Sequence, residues 1–266
     1  IKGAEELTIK PEEYHISIAD IETNPVFDGI TDIIFICSKA GDVSELLQFA
    51  RRLVHDKTLI IILSNGLGHI ELASDEFGSH RIIPATTTHG AWRKTPGLIE
   101  WAGIGAINLG KTSNSPSRQQ LSEICGLLED SGLNPVWIDD GHKLIWSKVL
   151  INIAINPIAS ITGRSNGELL EPDMFETCSE VMLEGAKVAR LEGVSLPDDG
   201  KLVESLRLVL QQTSNNKCSM LQDVRNGRVT EIGFLNRMVV NKAEKYGLST
   251  PLNQLLSKLV EDLTSY

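Results

Sequence analysis

The period of the hydrophobic positions changes near residue 140. Before it, short apolar runs alternate with amphipathic stretches. Residues 32–38 (DIIFICS) and 58–64 (TLIIILS) are continuous, rich in β-branched side chains, and predict strands buried on both faces. Between them, apolar residues at 43, 46, 47, 50 and 53 predict a helix over 43–55. A third strand is predicted at 81–85, an amphipathic helix at 117–131 and a last strand at 134–138. Residues 14–19 alternate well enough for one short strand, and a helix begins near Ile70. Residues 98–103 and 105–109 read as a hairpin split at Ile104-Gly105. Strand–helix alternation of this kind predicts an α/β layer with parallel strands and right-handed crossovers.

After Asp140 the spacing is helical almost throughout, over about 142–161, 173–193, 198–213, 230–246 and 251–264. Pro197 and Pro251 stand at helix starts and Gly193 and Gly247 at helix ends, where each fits. The outline is an α/β domain over 1–140 and an all-helical domain over 141–266.

The stretch 141–170 (GHKLIWSKVLINIAINPIASITGRSNGELL) reads as one long apolar helix followed by a polar turn. Lys148, Asn152 and Asn156 recur at four-residue steps, each overshooting a full turn by ~40°, so they share one slowly drifting stripe. Unpaired polar groups in so apolar a segment cost ~1–3 kcal/mol each. Either the fold supplies their partners or a polar ligand does.

The 266 residues are enough for two domains, and 41% hydrophobic with 23% charged residues is a globular composition. A net charge of −10 argues against nucleic acid, which wants a basic face, and an anionic substrate would need local lysines to offset the field. Cys37, Cys125, Cys178 and Cys218 are far apart and lack metal-ligand spacing, as expected of reduced thiols in a cytoplasmic protein. His80 and His142 have no nearby ligand partners, so no metal site is expected. The longest apolar run, 59–63, is too short to span a membrane.

Candidate chemistry gathers after the strands. Lys39, in Ser38-Lys39-Ala40, and Asn65-Gly66-Leu67-Gly68 follow successive buried strands, at the edge where open α/β sheets bind ligands. Taken singly, each reads first as a surface lysine or an ordinary turn; glycines there would let a ligand approach the backbone, and two polar loops at neighbouring strand ends together point to a site. Thr86-Thr87-Thr88-His89-Gly90-Ala91 follows the third strand; its threonines could line the same crevice, while His89 reads as a structural histidine. Residues 215–223 (NNKCSMLQD) are polar and dense in hydrogen-bonding groups; Ser219 there is placed to cap a helix over 220–224, and a helix N-terminus also attracts carboxylates. Glu231 reads as an acid in a first helical turn, which dipole effects alone explain.

Taken together, SKA at 38–40, NGLG at 65–68, TTTHGA at 86–91, K-x3-N-x3-NP with NGEL over 148–169, and SMLQD…G-R-x-TEI over 219–232 resemble the ketopantoate reductase (2-dehydropantoate 2-reductase) family. The motifs fall in order over nearly the whole chain. The resemblance implies an N-terminal Rossmann-like parallel sheet domain, an all-helical C-terminal domain and an active site in the cleft between them. It implies NADPH-dependent reduction of 2-dehydropantoate to (R)-pantoate, toward pantothenate and coenzyme A. Lys148 then resembles the general acid; Asn152, Asn156 and Asn166 the substrate-binding amides; Ser219 the group that takes the substrate carboxylate. Lys39, Asn65, Ala91 and Glu231 match positions that touch the cofactor or hold nicotinamide and substrate in register, with Glu231 counted beside Lys148 in the catalytic set. The partners implied are a small 2-oxoacid and, as in similar proteins, a second copy in a homodimer, with no nucleic acid and no membrane.

The chain departs from that pattern at its start. The family's first strand, its G-x-G-x-x-G/A turn for the pyrophosphate and the basic residue that selects the 2′-phosphate have no counterpart here. The expectation is a piece of a longer enzyme, binding dinucleotide poorly as written and leaving a sheet edge open. Gly233 stands where the family often has an acid, which would loosen the helix start. Two other readings stay open: a reductase of the same fold acting on another 2-oxoacid, and a non-catalytic protein without the cofactor phosphate site.

Overall fold

A computed structural model describes residues 31–95, 97–112, 114 and 116–263. The strand expected at 14–19 lies outside the described residues. Seven strands and nine α-helices are described: β1 (Ile33–Ile36), α1 (Val43–Ala50), β2 (Leu59–Ile62), α2 (His69–Phe77), β3 (Ile82–Thr87), β4 (Gly90–Thr95), β5 (Leu98–Gly103), β6 (Ile107–Gly110), α3 (Arg118–Asp130), β7 (Pro135–Ile138), α4 (Gly141–Thr162), α5 (Pro172–Leu191), α6 (Asp199–Gln212), α7 (Ser219–Arg225), α8 (Asn236–Glu244) and α9 (Pro251–Leu263).

The main sheet has the order β1-β2-β3-β6-β7. β1, β2 and β3 run parallel, β6 is antiparallel to β3, and β7 is parallel to β6. Both faces of β2 are covered, which is why it reads as an unbroken apolar run. Leu59 and Ile61 pack with Ile124 and Leu128 of α3, whereas Ile60 and Ile62 pack with Val43, Leu47 and Ala73 of α1 and α2. This is a Rossmann-like layer with helices on both faces.

The hairpin expected from 98–109 does not form. β5 pairs instead with β4, a strand hidden in the polar stretch after β3, and β6 returns to the main sheet beside β3. Once the β4–β5 excursion has reversed the chain, β6 can pair with β3 only antiparallel, so the all-parallel expectation fails at this one ladder.

α4 is the axis of the helical half. It packs on α5, α7, α9 and β3, and its apolar length, which alone would suffice to cross a membrane, is mostly buried in the protein. Gly185 lets α5 come close: a Cβ there would stand 2.4 Å from Ile153 Cδ1. Pro157 lies inside α4 and has no N–H for the Ile153 carbonyl. Asn236 of α8 supplies the missing donor at 3.1 Å and also donates to Asn253 Oδ1 at 2.9 Å. Asn253 in turn donates to Val181 O and Glu184, so α4, α8, α9 and α5 are stitched by one buried amide relay.

The helix expected over 230–246 is broken. A 3-10 turn (Ile232–Phe234) ends at Leu235, whose φ −110 and ψ −101 leave the helical region before α8 begins. The break turns the Phe234 carbonyl toward Leu67 N, which donates to it at 2.9 Å. Leu67 itself is buried in the helical core. The loop after β2 is thus plugged into the second half of the chain.

Candidate active site in the cleft between sheet and helices

A cleft of about 590 Å³ opens where β1, β2 and β3 end and α4 passes beneath them. Lys39, Asn65 and Ala91 line it from the sheet side; Lys148, Asn152, Asn156, Asn166, Ser219 and Glu231 line it from the helical side. Lys39 and Glu231, 192 positions apart in the chain, therefore share one cavity.

Lys148 donates to the Thr87 carbonyl at 3.3 Å, which ties α4 to the end of β3. Burial pushes its ammonium below the ordinary lysine pKa, and the Glu231 carboxylate offsets part of that shift. Among the described residues, the side-chain amides of Asn152 and Asn156 have no hydrogen-bond partner in the protein. The stripe read from the sequence thus faces the cleft, and its two amides are open to a ligand.

Asn166 opens a 3-10 turn (Asn166–Leu170) that docks on the end of α6. Its amide donates to Asn216 O at 2.9 Å and its Nδ2 to Thr213 Oγ1 at 2.8 Å. Its Oδ1 is buried with no partner among the described residues. Thr213 and Asn216 also line the cleft. Asn216 belongs to the polar stretch 215–223 read from the sequence, whereas Thr213, at the end of the preceding helix, carries no signal that would single it out.

Ser219 is the first residue of α7, not its cap. Cys218 holds the cap position, its Sγ accepting from Leu221 N at 3.4 Å, and this leaves the Ser219 hydroxyl exposed at the cleft.

Glu231 is no ordinary first-turn acid. It is buried, its Oε1 accepts from Ala40 N and its Oε2 from Asn65 Nδ2, each at 3.1 Å. Gly66 meets the helical half rather than a ligand: at φ +104, a Cβ would lie 2.6 Å from Phe234 O. The glycine admits a protein backbone where a ligand was the alternative.

His89 is held as a structural ring. Its Nδ1 accepts from Gly105 N at 3.0 Å and Trp101 Nε1 at 3.2 Å, and its Nε2 donates to Leu133 O at 3.1 Å. Of the three threonines before it, Thr87 reaches the cleft, while Thr88 Oγ1 accepts from Ala106 N at 2.9 Å. Among the described residues no cluster of three metal-ligating side chains occurs, and the four cysteines are free.

Residues 141–264 match the family description "Ketopantoate reductase PanE/ApbA C terminal", and residues 4–114 match "Ketopantoate reductase PanE/ApbA". The chain is 33% identical over 231 residues to a 2-dehydropantoate 2-reductase of Pyrococcus horikoshii, covering 86% of this chain and 75% of that one. Among solved structures, a 2-dehydropantoate 2-reductase from Geobacter metallireducens GS-15 superposes with a TM-score of 0.81 at 25% identity, over 88% of this chain and 78% of the other. A D-mandelate dehydrogenase with NADH and anilino(oxo)acetate superposes equally well, with a TM-score of 0.81 at 26% identity over 88% and 76% of the two chains.

Proposed function

The chain belongs to the ketopantoate reductase family, and from that premise we propose that it reduces 2-dehydropantoate to (R)-pantoate with NADPH. The division of labour we infer gives residues 1–140 to the cofactor and 141–266 to the substrate and the proton. A cytoplasmic homodimer completes the reading, from the family resemblance.

The observation that carries the proposal is the desolvated Lys148 ammonium, set in one cleft with two amides that have no partner among the described residues. The cleft is of a size for small ligands, and it lies at the carboxyl ends of parallel strands, where nucleotides bind. Lys39, Asn65 and Ala91 offer an ammonium, an amide and an edge-strand backbone, which suit the nicotinamide and ribose of a dinucleotide. A reduced nicotinamide supplies the hydride when bound. Lys148 then stabilises the charge that builds on the ketone oxygen and donates the proton to it. Asn152 and Asn156 fix the substrate's oxygen atoms without adding charge. Asn166 lines the cleft and is read as a further substrate-binding amide, and the Ser219 hydroxyl suits the substrate carboxylate. Glu231 holds Asn65 and the Ala40 amide in place and sustains the protonated form of Lys148.

The likeness to a D-mandelate dehydrogenase favours a second reading, a 2-oxoacid with an aromatic side chain. One experiment tests both. The protein expressed from its complete reading frame is given NADPH or NADH and a panel containing 2-dehydropantoate and phenylglyoxylate, and nucleotide oxidation is followed. Turnover best with 2-dehydropantoate supports the first reading and best with phenylglyoxylate the second. Dinucleotide binding with no turnover of any oxoacid defeats both.

A further inference from the structure

Two successive residues of the loop after β1 are each held by a carboxylate from the helical half. Ala40 N is held by Glu231, and Lys39 Nζ donates to Asp223 Oδ2 at 2.5 Å. The Asp223 side chain is 3% exposed and that of Lys39 is 49% exposed, so a buried acid anchors a half-exposed base. Asp223 is absent from the lining of the main cleft. It borders a smaller recess of about 260 Å³ that Lys39 also lines, so Lys39 stands between the two spaces. Its second oxygen faces Arg228 Nε at 3.2 Å, and Arg228 N donates to the Asp223 carbonyl at 2.9 Å. With both oxygens engaged, the carboxylate has one orientation.

Asp223 also stands four residues after Ser219 on α7, on the same helix face. The helix that presents the Ser219 hydroxyl to the cleft is therefore the one that anchors Lys39. A lysine has a long, freely rotating stem, and an ammonium left to solvent would be spread over many positions. A buried, doubly engaged carboxylate confines it to one.

We propose that Asp223 is the positioning residue for Lys39, holding its ammonium at the cleft edge to meet the nicotinamide cofactor and joining that contact to the helix that carries Ser219. The inference rests on the reading of Lys39 as a cofactor contact.

The test is dinucleotide binding to the protein expressed from its complete reading frame, followed by NADPH and NADH fluorescence, which needs no turnover. Asp223→Asn is expected to weaken the Kd about tenfold, as loss of a charge-assisted contact does. Lys39→Met is expected to weaken it similarly, and the double variant to match Lys39→Met within about twofold, because the two residues act as one unit. Arg225→Gln, which removes a charge from the same helix but whose guanidinium donates to Gly163 O at 3.1 Å rather than to Asp223, is expected to change the Kd by less than about threefold. Melting curves check folding. If Asp223→Asn does not fold, Asp223→Glu takes its place under the same criterion. The inference is overturned if the Asp223 variant binds dinucleotide as the wild type does, if the two losses multiply, or if Arg225→Gln costs as much. Unchanged binding in Lys39→Met overturns it too, by removing its premise. Absence of turnover with intact dinucleotide binding strikes the proposed reaction and leaves this result standing.

Discussion

Glu231 and Asn65 meet across the cleft, the carboxylate accepting from the amide at 3.1 Å although 166 positions separate them in the chain. The same carboxylate receives Ala40 N and faces Lys148, so one acid spans both halves of the site.

Glu231→Gln removes the charge that offsets the desolvation of Lys148. The lysine pKa, already lowered by burial, is expected to fall further. Reduction needs the protonated amine, so turnover should decline on the alkaline side, and the variant's decline should begin at lower pH than the wild type's. Paired pH–rate profiles check this; coincident alkaline limbs would remove Glu231 from the account.

Lys148→Met is expected to cut turnover by roughly 10²–10⁴-fold while leaving dinucleotide affinity nearly unchanged. It should also raise the melting temperature near neutral pH. A folded-state pKa below the unfolded value means that charging Lys148 opposes folding. That penalty is complete below the folded pKa and gone once the pH passes the unfolded value of ~10.4. Melting curves at neutral and strongly alkaline pH should show the gain and its disappearance.

Asn236→Ala strips the donor from Ile153 O and from Asn253 Oδ1, both in the buried relay. Two unmet acceptors should cost roughly 2–4 kcal/mol in urea unfolding. The same substitution in a Pro157→Ala background should cost less, since residue 157 then donates to Ile153 O itself. Equal costs in the two backgrounds would refute the link between the proline and the asparagine.

Gly66→Ala is expected to lose about 1–3 kcal/mol, because its backbone sits at φ +104 and the new Cβ would press on Phe234. It should weaken dinucleotide binding as well, since Asn65 is the adjacent residue. A Gly41→Ala control, with nothing within 4 Å of the added atom, should be near neutral.

Much of this molecule was legible in one dimension. Strands β1, β2 and β3, the long α4 and the polar stripe on it follow from local periodicity, because burial on two faces or on one dictates which residue types a segment can carry. The motifs carried the family resemblance, and through it the residues that line the cleft. Two of the misreadings share one cause. Residues 98–109 have the pattern of two adjacent strands, yet which strand each pairs with depends on partners up to 24 positions earlier in the chain. Likewise, the helix read over 230–246 is periodic in sequence, but the contact of Phe234 O with Leu67 N favours a break at Leu235.

The amino-acid order alone determined where chain segments become strand or helix and which side chains could bear chemistry, since those are matters of period and residue type. Only the tertiary structure decided which halves of the chain touch. It put Glu231 against Asn65 and Ala40, Asp223 against Lys39, and Asn236 under the gap left by Pro157. Such pairings depend on distances through space between residues remote in sequence, and a carboxylate or amide shows no sign in one dimension of which distant group it will satisfy.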